Sequence, residues 1–151
     1  SKVALPAVPD SPFRWALNAE VSWLPAAYDA ARWGVELRPI ATALVARGWL
    51  YFGINPILDW ELAGADAGGR PDLEPAATAL FVVKDLGSLG VEYYANFGPL
   101  GSWLPASAQE HYLFEVVNVY RWTRWEINAG VGEGLTAASN RLVFKAILGF
   151  H

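Results

Sequence analysis

The chain of 151 residues has no cysteine, no methionine and few charges, and it holds no long uninterrupted apolar run. Each absence excludes something. Without Cys there is neither a disulfide framework nor a thiolate metal site. Without an apolar, charge-free run of about 18 residues, no transmembrane helix is coded. Charged residues make up only 17%, the formal net charge is -4, and no basic cluster exists, so a nucleic-acid surface is not expected. No phosphate-cradling glycine loop and no HExxH motif occurs. Two histidines, His111 and the terminal His151, do not make a clustered ligand set, so no metal and no other cofactor is expected. The chain opens SKVALP without Met. The expectation is a processed product, from which a leader could have been cleaved.

What the chain has in quantity is apolar and aromatic character, 54% and 14% with eight Trp, and an alternation of period two. Trp49–Leu62 is the clearest case. Leu50, Phe52, Ile54, Pro56, Leu58, Trp60 and Leu62 fall on one face of a strand, against Tyr51, Gly53, Asn55, Ile57, Asp59 and Glu61 on the other. Phe13–Trp23 repeats the pattern, as do strands beginning near Trp33, Leu73, Leu89, His111, Trp125 and Leu142. Tyr112, Phe114 and Val116 are assigned to the apolar face and His111, Leu113 and Glu115 to the polar one, with Asn118 as an exception. Ser1–Pro12, with Pro6, Pro9 and Pro12, reads as an extended N-terminal arm.

Eight strands over residues 13–150 are joined by connections that run long, short, long, short, long, short, moderate. The predicted fold is all-β, an eight-stranded antiparallel up-and-down barrel. Long loops at one end and short turns at the other are the layout of transmembrane barrels. Prolines 39, 56 and 75 count against full pairing, because Pro removes a ladder donor.

Two barrels share this pattern, and the composition of the faces separates them. A soluble small-ligand carrier turns its apolar face inward and its polar face to water. A transmembrane barrel does the reverse. The polar face collects Arg14, Glu20, Glu36, Arg38, Asp59, Glu61, Glu74, Lys84, Glu92, Glu115, Arg121, Glu126, Arg141 and Lys145, interspersed with glycines. Long charged groups beside glycines suit a crowded interior in which charges are paired. The apolar face carries aromatics toward both ends. Phe13, Trp15, Trp49, Phe81, Trp122, Trp125 and Phe150 lie toward the short turns; Trp23, Trp33, Trp60, Phe97 and Tyr112 lie toward the long loops. Two aromatic girdles around an aliphatic band belong to a membrane interface. The expectation is a bacterial outer-membrane barrel, a structural scaffold or narrow pore with a charged, side-chain-filled interior, in contact with lipid or detergent.

Enzymatic readings are weaker. Ser107, His111 and Glu115 suggest an outer-membrane lipid hydrolase, but in a strand His111 and Glu115 stand about 13 Å apart. Carboxylates such as Glu36, Asp59, Glu61 and Glu92 raise glycosidase-like pairing, and neutralising nearby Arg and Lys is the simpler role. Asp66, Asp72 and Glu110 lack the spacing of a specific cation site. No enzyme is predicted.

WGVELRPI, FGINPILDWEL, VEYYANFGPL, HYLFEVV and WEINAGVGEGLTAASNRLVFKAILGF resemble the later strands of proteobacterial outer-membrane barrels. Many of those are grouped with phenol-degradation pathways. The resemblance covers most of Phe13–Phe150 and implies outer-membrane location and insertion by the outer-membrane assembly machinery. Because such proteins are usually longer, it also implies a C-terminal portion, a shortened relative or an engineered chain. The aromatic Phe150 matches the typical end of these barrels, although His151 follows it.

Overall fold

Strands that alternate from end to end satisfy their backbone groups by pairing with one another. The computed structural model describes residues 1–23, 25, 33–64, 69–122 and 125–150, apart from the side chains of Arg121 and Trp122. Nine strands lie in one antiparallel up-and-down sheet, in sequence order. They are β1 (Lys2–Ala4), β2 (Phe13–Trp23), β3 (Trp33–Val45), β4 (Leu50–Ala63), β5 (Asp72–Val83), β6 (Gly87–Asn96), β7 (Glu110–Trp122), β8 (Trp125–Gly134) and β9 (Leu142–Phe150). The described residues contain no α-helix, only a single 3-10 turn at Ala46–Gly48 between β3 and β4.

The eight strands expected from the alternation are β2–β9. β1 is additional. It falls within the N-terminal arm and pairs with β2 through Lys2↔Asn18, Val3↔Leu17 and Ala4↔Ala16. The sheet is not closed, and β1 and β9 are its edges.

The prolines act on the ladder as their missing N–H requires. Pro56 and Pro75 stand directly opposite each other in β4 and β5. Between β3 and β4 the pairing runs to Leu37↔Leu58 and resumes at Ala41↔Ile54. The unpaired gap contains Pro39 and Pro56, neither of which can donate.

Register sorts every strand onto two faces, because directly opposed residues point the same way. One row runs Arg14, Thr42, Gly53, Thr78, Glu92, Phe114, Gly132, Val143 across β2–β9. The neighbouring row on the other face is Phe13, Ala43, Phe52, Ala79, Val91, Glu115, Val131, Phe144. The polar face is the concave one. Lys145 of β9 reaches Glu92 of β6 across β8 and β7. Strands spaced about 4.8 Å apart put those two backbones about 14 Å apart in a flat sheet. The side-chain tips meet because the sheet bends toward them.

The register also corrects the expected phase of β7. Phe114 faces Glu92 and Gly132, and Asn118 faces Ser88 and Asn128, so both lie on the concave face with Tyr112 and Val116. Glu115 lies between Val91 and Val131 on the apolar face.

What packing there is sits inside the curve. Leu80, Phe114 and Val116 are buried there, with Tyr51, Tyr112 and Val143 against them. The convex face is largely uncovered, except near the long-loop end, where Ala95 is buried beside Tyr93 and His111. The accessible surface is 10316 Å², against about 7,500 Å² for a compact monomer of this mass.

Candidate functional site

The concave face is where polar chemistry gathers. Its most connected part spans β6–β9. Lys145 bonds to Glu92 and donates to the Tyr94 hydroxyl at 3.1 Å, while that hydroxyl donates to Glu92 Oε2 at 2.7 Å. The ammonium also lies 5.2 Å from the Tyr94 ring centre and 5.5 Å from that of Phe114. A cation held by a carboxylate and two rings is well compensated for leaving water.

Glycine makes this crossing feasible. Lys145 stands opposite Gly130, and Val143 opposite Gly132, so no β8 side chain blocks the path. The Phe114 ring lies over Gly132, where an added Cβ would meet ring carbons at 2.5–2.6 Å. The expectation that small positions make room for long ones holds on this face.

Toward the short turns the concave face carries a neutral ladder. Asn128 Nδ2 donates to Asn118 Oδ1 at 2.6 Å, and Asn118 Nδ2 donates to Ser88 Oγ at 3.0 Å. Ser88 Oγ is also 3.1 Å from the Tyr120 hydroxyl. Asn118 and Ser88 are buried, and their mutual bonds satisfy them.

Toward the long loops the charge is acidic. Glu20, Glu36, Asp59 and Asp72 stand directly opposite one another across β2–β5, and Glu61 lies one step further, opposite Gly34. Arg38 pairs with Glu36 at 2.6 Å, and Glu74 accepts from Asn96 Nδ2 at 2.8 Å. Among the described residues no group of three or more His, Asp or Glu is arranged to hold a metal ion. The face is therefore mainly acidic toward the long loops, where Arg38 pairs with Glu36, neutral toward the short turns, and carries the Lys145–Glu92 pair between β6 and β9.

Other positions depart from the expected interior network. Arg14 shares the concave parity but is exposed, donating to the carbonyls of Ser11 at 2.5 Å and Phe13 at 2.8 Å. Glu126 keeps the concave parity opposite Gly149. Lys84 is in the exposed turn between β5 and β6, and Arg141 precedes β9 at the rim, so neither lies in the sheet interior. Glu115 is on the apolar face. The side chains of Arg121 and Trp122, like Asp66, are outside the described residues.

The aromatics divide similarly. Phe13, Trp15, Trp23, Trp33, Trp49, Phe81, Trp125 and Phe150 are exposed. Trp49 packs on Phe81 at 5.6 Å and Trp125 on Phe150 at 5.1 Å. Trp60 is half-buried, and Phe97 packs on Trp103 and His111 at the long-loop rim. Tyr112 was expected among the outward aromatics; it lies on the concave face, touching Phe114.

His111 is engaged at both ring nitrogens. The Tyr93 hydroxyl is 2.5 Å from Nδ1, and Gln109 Oε1 is 3.0 Å from Nε2. Neither partner is Ser107 or Glu115, the residues that a hydrolase arrangement requires. The His111 backbone is in turn latched by Ser139, whose hydroxyl accepts from its N–H and donates to its carbonyl.

The sequence reading missed the neutral ladder and the Phe114–Gly132 contact. The signal was available in Asn118, whose polar side chain argued for the opposite β7 phase. No protein family, no curated protein and no solved structure matches the chain.

Proposed function

We propose that the chain is a bacterial outer-membrane β-barrel in which β2–β9 form eight membrane-spanning strands. Its apolar face meets lipid, and its charged concave face becomes a largely side-chain-filled interior. It acts as a structural scaffold or narrow pore. The observation that carries this reading is the opposite character of the two faces. The convex side exposes large apolar groups on all eight strands, from Trp15 and Val21 on β2 to Phe144 and Leu148 on β9, whereas buried polar bonds gather on the concave side. An apolar surface of that extent is unsuited to water and suited to a bilayer. The exposed aromatics near strand ends then take the level of the lipid headgroups.

The acidic row at the long-loop end gives a pore a sign. Carboxylates lining a constriction favour cations, so any conduction through this lumen selects cations over anions. The test is to prepare the chain with and without detergent, follow its gel mobility before and after heating, and record conductance in planar bilayers under a salt gradient. The expected result is aggregation without detergent and a heat-sensitive compact band with it. Discrete cation-selective steps identify a pore, and a silent bilayer with that band identifies a scaffold. A monodisperse, water-soluble chain overturns the membrane reading.

A further inference from the structure

The two open edges do not match, and their directions say how they can join. In an antiparallel sheet of nine strands in sequence order, β9 runs opposite to β2 and in the same direction as β1. Joining β9 to β1 would introduce one parallel pair into an otherwise antiparallel sheet. Joining β9 to β2 continues the pattern and leaves an even number of strands. That edge of β2 is already occupied by β1.

The occupation is slight. β1 is three residues long and covers only Ala16–Asn18 of the eleven-residue β2. Three further bonds flank it, Leu5 N–H to the Trp15 carbonyl, Ala19 N–H to the Ser1 carbonyl and the Ser1 ammonium to the Ala19 carbonyl, so the arm reaches five residues of β2, Trp15 to Ala19. Pro6, Pro9 and Pro12 prevent a regular extension of this ladder along the arm. Val3 and Leu5 are exposed on it. By contrast β9 offers nine residues.

We infer that β1 is a displaceable cover on the closing edge, and that the sheet closes when β9 takes its place on β2. This rests on the membrane-barrel reading. Pairing that lays Phe150 beside Phe13 brings Trp15, Leu17 and Ala19 alongside Leu148, Ala146 and Phe144 on the apolar face. It puts Lys145 and Asn18 together on the concave one. A slip of two residues keeps both faces; a slip of one inverts them. Until the exchange occurs, β1 protects an edge that would otherwise recruit another chain.

The absence of native cysteine makes the test direct, since opposed residues in an antiparallel pair stand within disulfide range. Val3→Cys with Leu17→Cys locks β1 onto β2. Ala146→Cys combined in turn with Leu17→Cys, Ala19→Cys or Val21→Cys reports closure. In phosphatidylcholine vesicles, one of the three closure pairs is expected to oxidise within a single chain. The locked chain is expected to lose the compact heat-sensitive band and to regain it on reduction. Removing residues 1–5 should leave closure intact. A locked chain that keeps the compact band overturns the inference, as does a closure bond formed only between two chains. A chain that never enters vesicles overturns the membrane reading itself. One that enters and retains β1 on β2, with no closure bond, overturns the exchange alone.

Discussion

Placing an arginine at the middle of the convex face measures what that face touches. Val117 is exposed there and stands opposite Ala129. Ala129 is four residues from Trp125 on one side and four from Glu133 on the other. With a rise of about 3.4 Å per residue and a strand tilt near 40°, each step gains about 2.6 Å of height. In the proposed barrel, Ala129, and Val117 beside it, would therefore lie about 10 Å from either boundary, near the middle of an apolar band about 25 Å tall. Leu142 is also exposed but stands opposite Glu133, at the long-loop boundary.

Val117→Arg should then destabilise the vesicle-inserted chain by about 2–4 kcal/mol, and Leu142→Arg by about 0–1 kcal/mol. The first shifts the folding equilibrium by roughly 30- to 1000-fold. The assay is urea unfolding from phosphatidylcholine vesicles followed by Trp fluorescence, with both variants compared to the parent chain. If the convex face met water instead, both substitutions would be ordinary surface changes, within about 0.5 kcal/mol of the parent. Equal and small effects at the two depths would refute the assignment of this face to lipid.

Three further substitutions probe the two faces. Glu115→Leu removes the carboxylate between Val91 and Val131 and should stabilise the inserted chain by about 1 kcal/mol; a loss of stability in the same titration contradicts the β7 register. Lys145→Met leaves the Glu92 charge with only the Tyr94 hydroxyl to compensate it inside the curve and should cost about 3 kcal/mol, much of it recovered by adding Glu92→Leu. A double-mutant cycle that finds the two changes additive would place these side chains apart. Gly132→Ala drives a methyl into the Phe114 ring and should cost about 1–3 kcal/mol. Adding Phe114→Leu should relieve it, and a neutral Gly132→Ala would mean that the ring does not cover that glycine.

What the sequence made legible was whatever repeats on every strand. In β4, Leu50–Leu62 against Tyr51–Glu61 settles both the strand and its faces, because Asn55, Asp59 and Glu61 all fall on one side and Ile57 is the single strongly aliphatic residue among them. β7 does not allow this. Leu113, Val117 and Val119 on one side and Phe114 and Val116 on the other are all apolar, so the strand's own pattern does not separate its faces, and the register reverses the expected phase. The deciding information lay on β8. Gly130, Gly132 and Gly134 leave a trough on the concave face that bulky neighbours must fill. The even-numbered residues of β7 supply the largest of them, with Phe114 over Gly132 and Val116 beside Gly130. A strand's phase is therefore fixed by its own alternation where the two faces differ, and by volume matching with the next strand where they do not. The same limit applies to β1. Lys2–Ala4 is too short for its own pattern to specify pairing, and what places it is the vacant edge of β2, a property of the assembled sheet.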